Sequence, residues 1–424
     1  MNANRRSQGS EEVFTRLNQT RADLALVLIQ RLIEVKSTVA EMQGLLTIIW
    51  ETIRQSNITF DEALNLGDPT YYRSLLKLLF LGLRVHSEAK TPAQLQANLK
   101  ASTRLTQSTS IIPTIIDILD RVVARGLRHL TVFIHDKPVE SSPEDLALIT
   151  GILQACLRIP GIEFCYSQIV SMFVSNDSVR TATTLFSWSD TLAINGDPIY
   201  GELSALFLVE LSTVPAMAEQ LAVEGVLGHI AAANITSYLR RGNVSPFADG
   251  AGLQRCYNIW VRGILPLLLN LLDSVGASIA IEVSLFLNQF PSLIKQSTEA
   301  FDAPETSRTA TKSQKKYISL SMCSEVHTLS LILFILNGFR ETAPGTEIPE
   351  VKWDAPAVLE NVEFWIASNV LLRDRILPMG DRDVALFKRK VDPVVADARN
   401  KLEEKILLEL MGIRDVLGGN DSRA

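Results

Sequence analysis

The sequence predicts an all-α protein built from stacked antiparallel helix pairs, and three observations carry that expectation. Apolar residues recur three or four positions apart along nearly the whole chain: Leu24, Leu28, Leu32, Val35 and Val39 near the start, Val384, Phe387, Val391, Val395, Ala398, Leu402 and Ile406 near the end. Alternation with a period of two is nearly absent. The best strand candidate, His129-Leu130-Thr131-Val132-Phe133-Ile134-His135, is one isolated run, which cannot build a sheet. Helix starts also repeat one device, a capping side chain followed by proline: Asp68-Pro69, Thr91-Pro92, Ser142-Pro143 and Asp197-Pro198. The side-chain oxygen accepts an orphan amide of the first turn, and proline has no amide to lose there.

Taken in order, Met1–Ser10 is polar and followed by Glu11-Glu12, so residues 1–10 read as a disordered tail with no apolar stretch of the kind a secretion signal needs. Residues 11–302 read as a helical-repeat solenoid, with helices of about 12 to 20 residues joined by short polar turns. At about 40 to 47 residues per HEAT or armadillo-like repeat, the chain holds about nine or ten pairs. One internal echo fits this rhythm: Gly67-Asp68-Pro69-Thr70-Tyr71 and Gly196-Asp197-Pro198-Ile199-Tyr200 each precede a leucine-rich helix. A helix start used twice and a true duplication both explain it. Ile264–Leu272 is apolar all round, as expected of a central buried helix, with a kink near Pro266.

Residues 303–317, rich in Thr, Ser, Lys and Arg without apolar periodicity, read as a mobile loop. Residues 318–417 read as further repeats ending in a long terminal helix, whose Lys401, Glu403, Glu404, Lys405 and Glu409 supply a polar outer face. Residues 418–424 read as a frayed tail.

Composition narrows the function. With 41 Lys and Arg against 47 Asp and Glu the net charge is −6, and no basic stripe offers direct nucleic-acid binding. The stretch Ile259–Leu287 carries Arg262, Asp273 and Glu282, which argues for buried helix rather than a transmembrane segment. Four cysteines without CxxC spacing read as reduced, intracellular thiols. A zinc site made from His129, His135, Cys156 and Cys165 would need spacings that known structural zinc folds do not use. Asp381 and Asp383 complement a helix start better than they suggest a metal. The chain has no GxSxG, no HExxH and no Walker A lysine, and Gly250-Ala251-Gly252 lacks the strand and third glycine of a dinucleotide site. No catalytic, cofactor or metal residue is therefore nominated, and the chain is read as a non-enzyme and a monomer.

Candidate partner-binding residues come from aromatic clustering: Phe339, Trp353, Phe364 and Trp365, the last three around Trp353-Asp354-Ala355-Pro356. Aromatic groups anchor partner helices when they line a groove. The same residues also fit a hydrophobic cap at the end of the helix stack.

The run Arg255-Cys256-Tyr257-Asn258-Ile259-Trp260-Val261-Arg262-Gly263 continues through Ile264-Leu265-Pro266-Leu267-Leu268-Leu269. Gly276, Ile279-Ala280, Glu282-Val283, Phe286-Leu287 and Phe290-Pro291 follow, and Leu66-Gly67-Asp68-Pro69 stands earlier. This order resembles the C-terminal region of the large inner-ring scaffold nucleoporins, the nucleoporin 188/192 family, on its nucleoporin 188 side and in a fungal form. The resemblance covers nearly the whole chain and implies an α-solenoid serving as a structural part of the nuclear pore complex, in the nucleus at the nuclear envelope, without catalysis. It implies binding of a helical segment from a linker nucleoporin and, more weakly, of phenylalanine-glycine repeats. It also implies a longer parent protein, so that the first helix exposes a face which the intact protein covers. A soluble helical-repeat transport receptor or trafficking adaptor is the other reading, since such repeats serve many partners.

Overall fold

The structure, a computed structural model, describes residues 2–34, 39–56, 60–65, 69–88, 103–302, 317–342, 347–387 and 400–419. Among these residues all regular structure is helical, the class of helix packed on helix, and the fold is that of an α-solenoid. The chain forms two compact units, Met1–Leu185 and Phe186–Ala424.

In the first unit the Asn2–Glu34 helix packs on Thr70–Glu88. Gln19 Nε2 donates to Ser74 Oγ at 2.8 Å, and Ser74 donates to Asp23 Oδ1 at 3.1 Å. Asn2–Ser10, expected as a disordered tail, is the first part of the Asn2–Glu34 helix, in which no proline interrupts the run. Arg73 grips the buried Asp145 with two hydrogen bonds of 2.6 and 2.7 Å, tying Thr70–Glu88 to Pro143–Leu157. Ser142 caps that second helix by accepting from Glu144 N, and Pro143 follows, as the sequence predicts. Asp68, Thr91 and Pro92 lie outside the described residues.

The strand candidate is helix. Residues 129–135 belong to Arg125–Asp136, where Leu127, Leu130 and Ile134 bury one face at helical spacing. Its β-branched residues are overruled by that burial. A π-helical turn, Leu119–Ala124, precedes it, with Arg125 N donating to Asp120 O five residues back.

In the second unit Asp197 does not cap a helix. Ile194 and Asp197 exchange backbone hydrogen bonds across Asn195-Gly196, both at positive φ (53° and 79°), and this tight turn feeds Ile199–Ser212. Asn-Gly suits such a turn because neither pays much for the left-handed region. The Asp197 carboxylate instead takes two hydrogen bonds from Arg255, at 2.8 and 2.9 Å. Arg255 also pairs with the buried Glu202, which accepts from Arg262 as well.

Leu265–Val275 buries Leu265, Leu267, Leu268, Leu271 and Leu272 and is the expected central helix. In place of a simple proline kink, a π-helical turn, Ile259–Ile264, runs into Pro266, with Leu265 N donating to Trp260 O. Pro266 brings no amide to the carbonyl four residues back, and the widened turn takes up that mismatch.

Beside it, Leu320–Thr342 is long and apolar enough to cross a membrane by length and composition. Here it is packed by Leu265–Val275, Ala277–Leu287 and Lys401–Gly418. Its buried Glu325 accepts from Tyr257 Oη at 2.6 Å and Trp260 Nε1 at 2.9 Å. The loop expected at 303–317 falls on residues outside the description except Tyr317; the helices flanking it, Pro291–Thr298 and Leu320–Thr342, pack in the same unit.

The terminal helix begins at Lys401 rather than continuing the periodic run from Val384. Asn400 is extended and caps it, accepting from Glu403 N at 2.8 Å, while Gly380–Phe387 is a separate helix. Periodicity alone does not register such a cap. Residues 388–399 and 420–424 lie outside the description.

Two measurements test this packing. A Cβ at Gly263 would stand 2.7 Å from Ala205 Cβ, so Gly263→Ala lowers the urea midpoint, a loss of about 1–2 kcal/mol despite its better helix propensity. Burial without a cation pushes the Glu325 carboxyl from 4.5 up to about 7, against the pull of its two donors. Its stabilisation is therefore full below the unfolded value and lost as pH rises towards 7. Glu325→Gln removes that slope, so its stability relative to the unmutated chain rises by on the order of 3 kcal/mol from pH 4.5 to about 7 and then levels. Parallel pH profiles of the two proteins in urea unfolding would refute this.

Candidate functional site

Three of the four nominated aromatics lie in or against one core. Trp365 is 3% exposed and donates from Nε1 to the Phe301 carbonyl at 2.7 Å. Phe364 meets it edge-on, with ring centroids 5.3 Å apart. Trp353 is half-buried and donates to Ser297 Oγ at 3.0 Å. All three pack with Val358, Val362, Leu402 and Ile406. The helix of Phe364 and Trp365, Ala355–Ala367, follows Trp353 and starts where it does because Asp354 accepts from Ala357 N at 3.1 Å, with Pro356 in the first turn.

Phe339 sits apart, on the partly exposed face of Leu320–Thr342. Leu331, Ile335 and Phe339 are half-buried there, Phe334 is 46% exposed, and a Cβ at Gly338 would meet none of the described residues within 4 Å. The spacing i, i+3, i+4, i+7, i+8 makes an apolar seam with an open notch over the glycine. Phe334 was not nominated from the sequence; the i, i+3, i+4 pattern through Leu331 was the signal that could have found it. Before the seam, His327 bonds Glu409 at 2.6 Å, which holds the neighbouring terminal helix in place. After it, Arg340 donates to the carbonyls of Ile348 and Pro349. That extended segment is held from Ala277–Leu287 too, by Ser284 on Pro349 O, and by Asn288 on Glu350 O at 3.1 Å. The seam therefore has fixed walls and can receive an apolar helix face or a single aromatic ring.

The other candidates do not converge on chemistry. His129 stands 3.8 Å from Asp61 and His135 3.1 Å from Asp136, while Cys156 is fully buried and burial drives its thiol far up. Among the described residues no group of three or more His, Cys, Asp or Glu side chains could hold a metal. Asp383 accepts from Met379 N at 3.1 Å at the start of Gly380–Phe387, a capping role.

The two aromatic settings separate in stability. Trp365→Ala costs about 3–5 kcal/mol through cavity formation, whereas Phe334→Ala stays within about 0.5 kcal/mol; thermal unfolding of both variants reads the difference.

Comparison with known proteins gives one answer. The family described as "Nuclear pore protein NUP188 C-terminal domain" matches residues 45–417. Nucleoporin NUP188 of Chaetomium thermophilum is 40% identical over 99% of this chain, and the match spans 24% of that relative. Nucleoporin nup184 of Schizosaccharomyces pombe is 27% identical over 66% of this chain and 17% of its own length. The chain thus spans about a quarter or less of the curated relatives it matches. Among solved structures, Nup188(aa1445-1827) from Myceliophthora thermophila superposes with a TM-score of 0.74 at 44% identity, covering 89% of this chain and 98% of that one. With a helical fold, a packed aromatic core and this coverage, the chain belongs to the Nup188 family of nucleoporins, proteins of the nuclear pore complex at the nuclear envelope.

Proposed function

We propose that the chain is a non-enzymatic scaffold segment of the nuclear pore inner ring, and that the outward seam of Leu320–Thr342 docks an amphipathic helix from a linker nucleoporin. The observation that carries this reading is the notch at Gly338, where a Cβ meets none of the described residues within 4 Å, beside Phe334 and Phe339 on a helix whose opposite face is buried. A helix presenting leucines at i, i+3 and i+7 matches the seam. The ring of a phenylalanine-glycine repeat fills the notch alone, with less buried area and so weaker binding. Family membership supports the scaffold role and association with other nucleoporins. A fixed platform also suits that role, because a partner helix then pays little ordering cost on the scaffold side.

Binding is measured by co-purification with a panel of linker-nucleoporin segments, with stoichiometry from light scattering. The expected result is a one-to-one complex weakened at least about tenfold by Phe334→Asp or by Gly338→Leu, which fills the notch. A complex insensitive to both substitutions, or none with any segment while the chain remains folded, would overturn the assignment.

A further inference from the structure

The Asn2–Glu34 helix carries two apolar faces. At 100° per residue, Ala22 and Ile29 point one way, and they are 5% and 4% exposed where the helix meets Thr70–Glu88. Val13, Leu17, Leu24, Val27 and Leu28 fall within about 100° of one another on the opposite side. They are 67, 46, 58, 54 and 55% exposed. Their spacing follows a heptad: Leu17 and Leu24 are seven apart, and Val13 and Val27 precede and follow them at the alternate seam positions. A solvent-facing helix has no use for five branched apolar side chains in a row, and such a stripe marks a surface that something covers.

Two facts point to the occupant. The Chaetomium relative aligns with 99% of this chain, the Asn2–Glu34 helix included, yet the match spans only 24% of that relative. The solved Myceliophthora fragment begins at residue 1445 of its parent, so a long polypeptide stands before this region in that relative. We infer that the Val13–Leu28 stripe is the joint on which the polypeptide preceding this region in the longer Nup188 relatives lays an amphipathic helix. The inference rests on family membership and not on the linker seam of Leu320–Thr342, which belongs to the other unit. Seam residues of heptad type interlock with a facing helix over several turns, a length that a single aromatic ring or a short loop cannot fill.

The test supplies the segment of the Chaetomium relative that immediately precedes the stretch aligned with this chain as a separate polypeptide and titrates it onto the full chain, with light scattering for stoichiometry. The expected result is a one-to-one complex whose affinity falls at least about tenfold with Leu24→Asp. Leu24→Asp leaves circular dichroism unchanged, because Leu24 lies opposite the buried face, and it leaves linker binding intact. Phe334→Asp has the converse pattern, which separates failure of this inference from failure of the linker reading. No complex, or a complex indifferent to Leu24→Asp and to Leu17→Asp, overturns it. So does self-association of the unmutated chain that Leu24→Asp abolishes, which would make a second copy the occupant.

Discussion

A carboxyl group without a cation lies at the centre of the second unit, and the surrounding packing depends on how it is satisfied. Glu325 would be costly in an apolar helix on its own account. It is tolerable because Tyr257 and Trp260 both donate to it, and each of those rings would otherwise bury an unmet polar hydrogen. The three groups settle one another's needs and in doing so lock the register of Leu320–Thr342 against the helix that runs from Ala251 into Leu265–Val275. Shifting either helix by one residue would orphan all three at once. Apolar contacts are more forgiving, so this node supplies specificity as well as energy.

A second polar node works at the surface side of the same helix. Arg255 bridges Asp197 and Glu202, and Arg262 reaches Glu202 from the next turn. Arg255 and Arg262 are seven residues apart and Tyr257 and Trp260 three, so helical spacing puts the two arginines on one face and the two rings on the other. One short stretch thereby serves the buried Glu325 on one side and Asp197 with Glu202 on the other. The first unit repeats the principle with Arg73 on Asp145. Both units rely on buried carboxyl groups shared between helices.

Such nodes fix which helix faces turn inward and which turn outward. The walls beside Phe334 and Gly338 are themselves fixed by His327 on Glu409 and by Arg340 on the extended 347–350 segment. Gly412 allows this closeness, since a Cβ there would meet the His327 ring at 2.6 Å.

Helical class, the central buried helix, the Ser142-Pro143 start and the family were legible in the sequence, because periodicity, capping chemistry and residue order are local or linear properties. The role of Asp197 was not: its spacing before Pro198 looks like a cap, and only the arrival of Arg255 from 58 residues away decides otherwise. The helix at His129–His135 was likewise masked by β-branched composition until burial on one face outweighed it. The aromatics divide for the same reason. Trp353, Phe364 and Trp365 cluster in sequence, yet whether a ring packs inward or faces out depends on which helices arrive to cover it, and here Lys401–Gly418 and Phe301 do so. Phe334 stays exposed, and none of the described residues comes within 4 Å of a Cβ at Gly338 beside it. Sequence determined the elements, since each helix is specified by its own apolar stripe and cap. Only the tertiary structure decided which stripes became core and which became surface, since burial belongs to pairs of elements and is written in neither one alone.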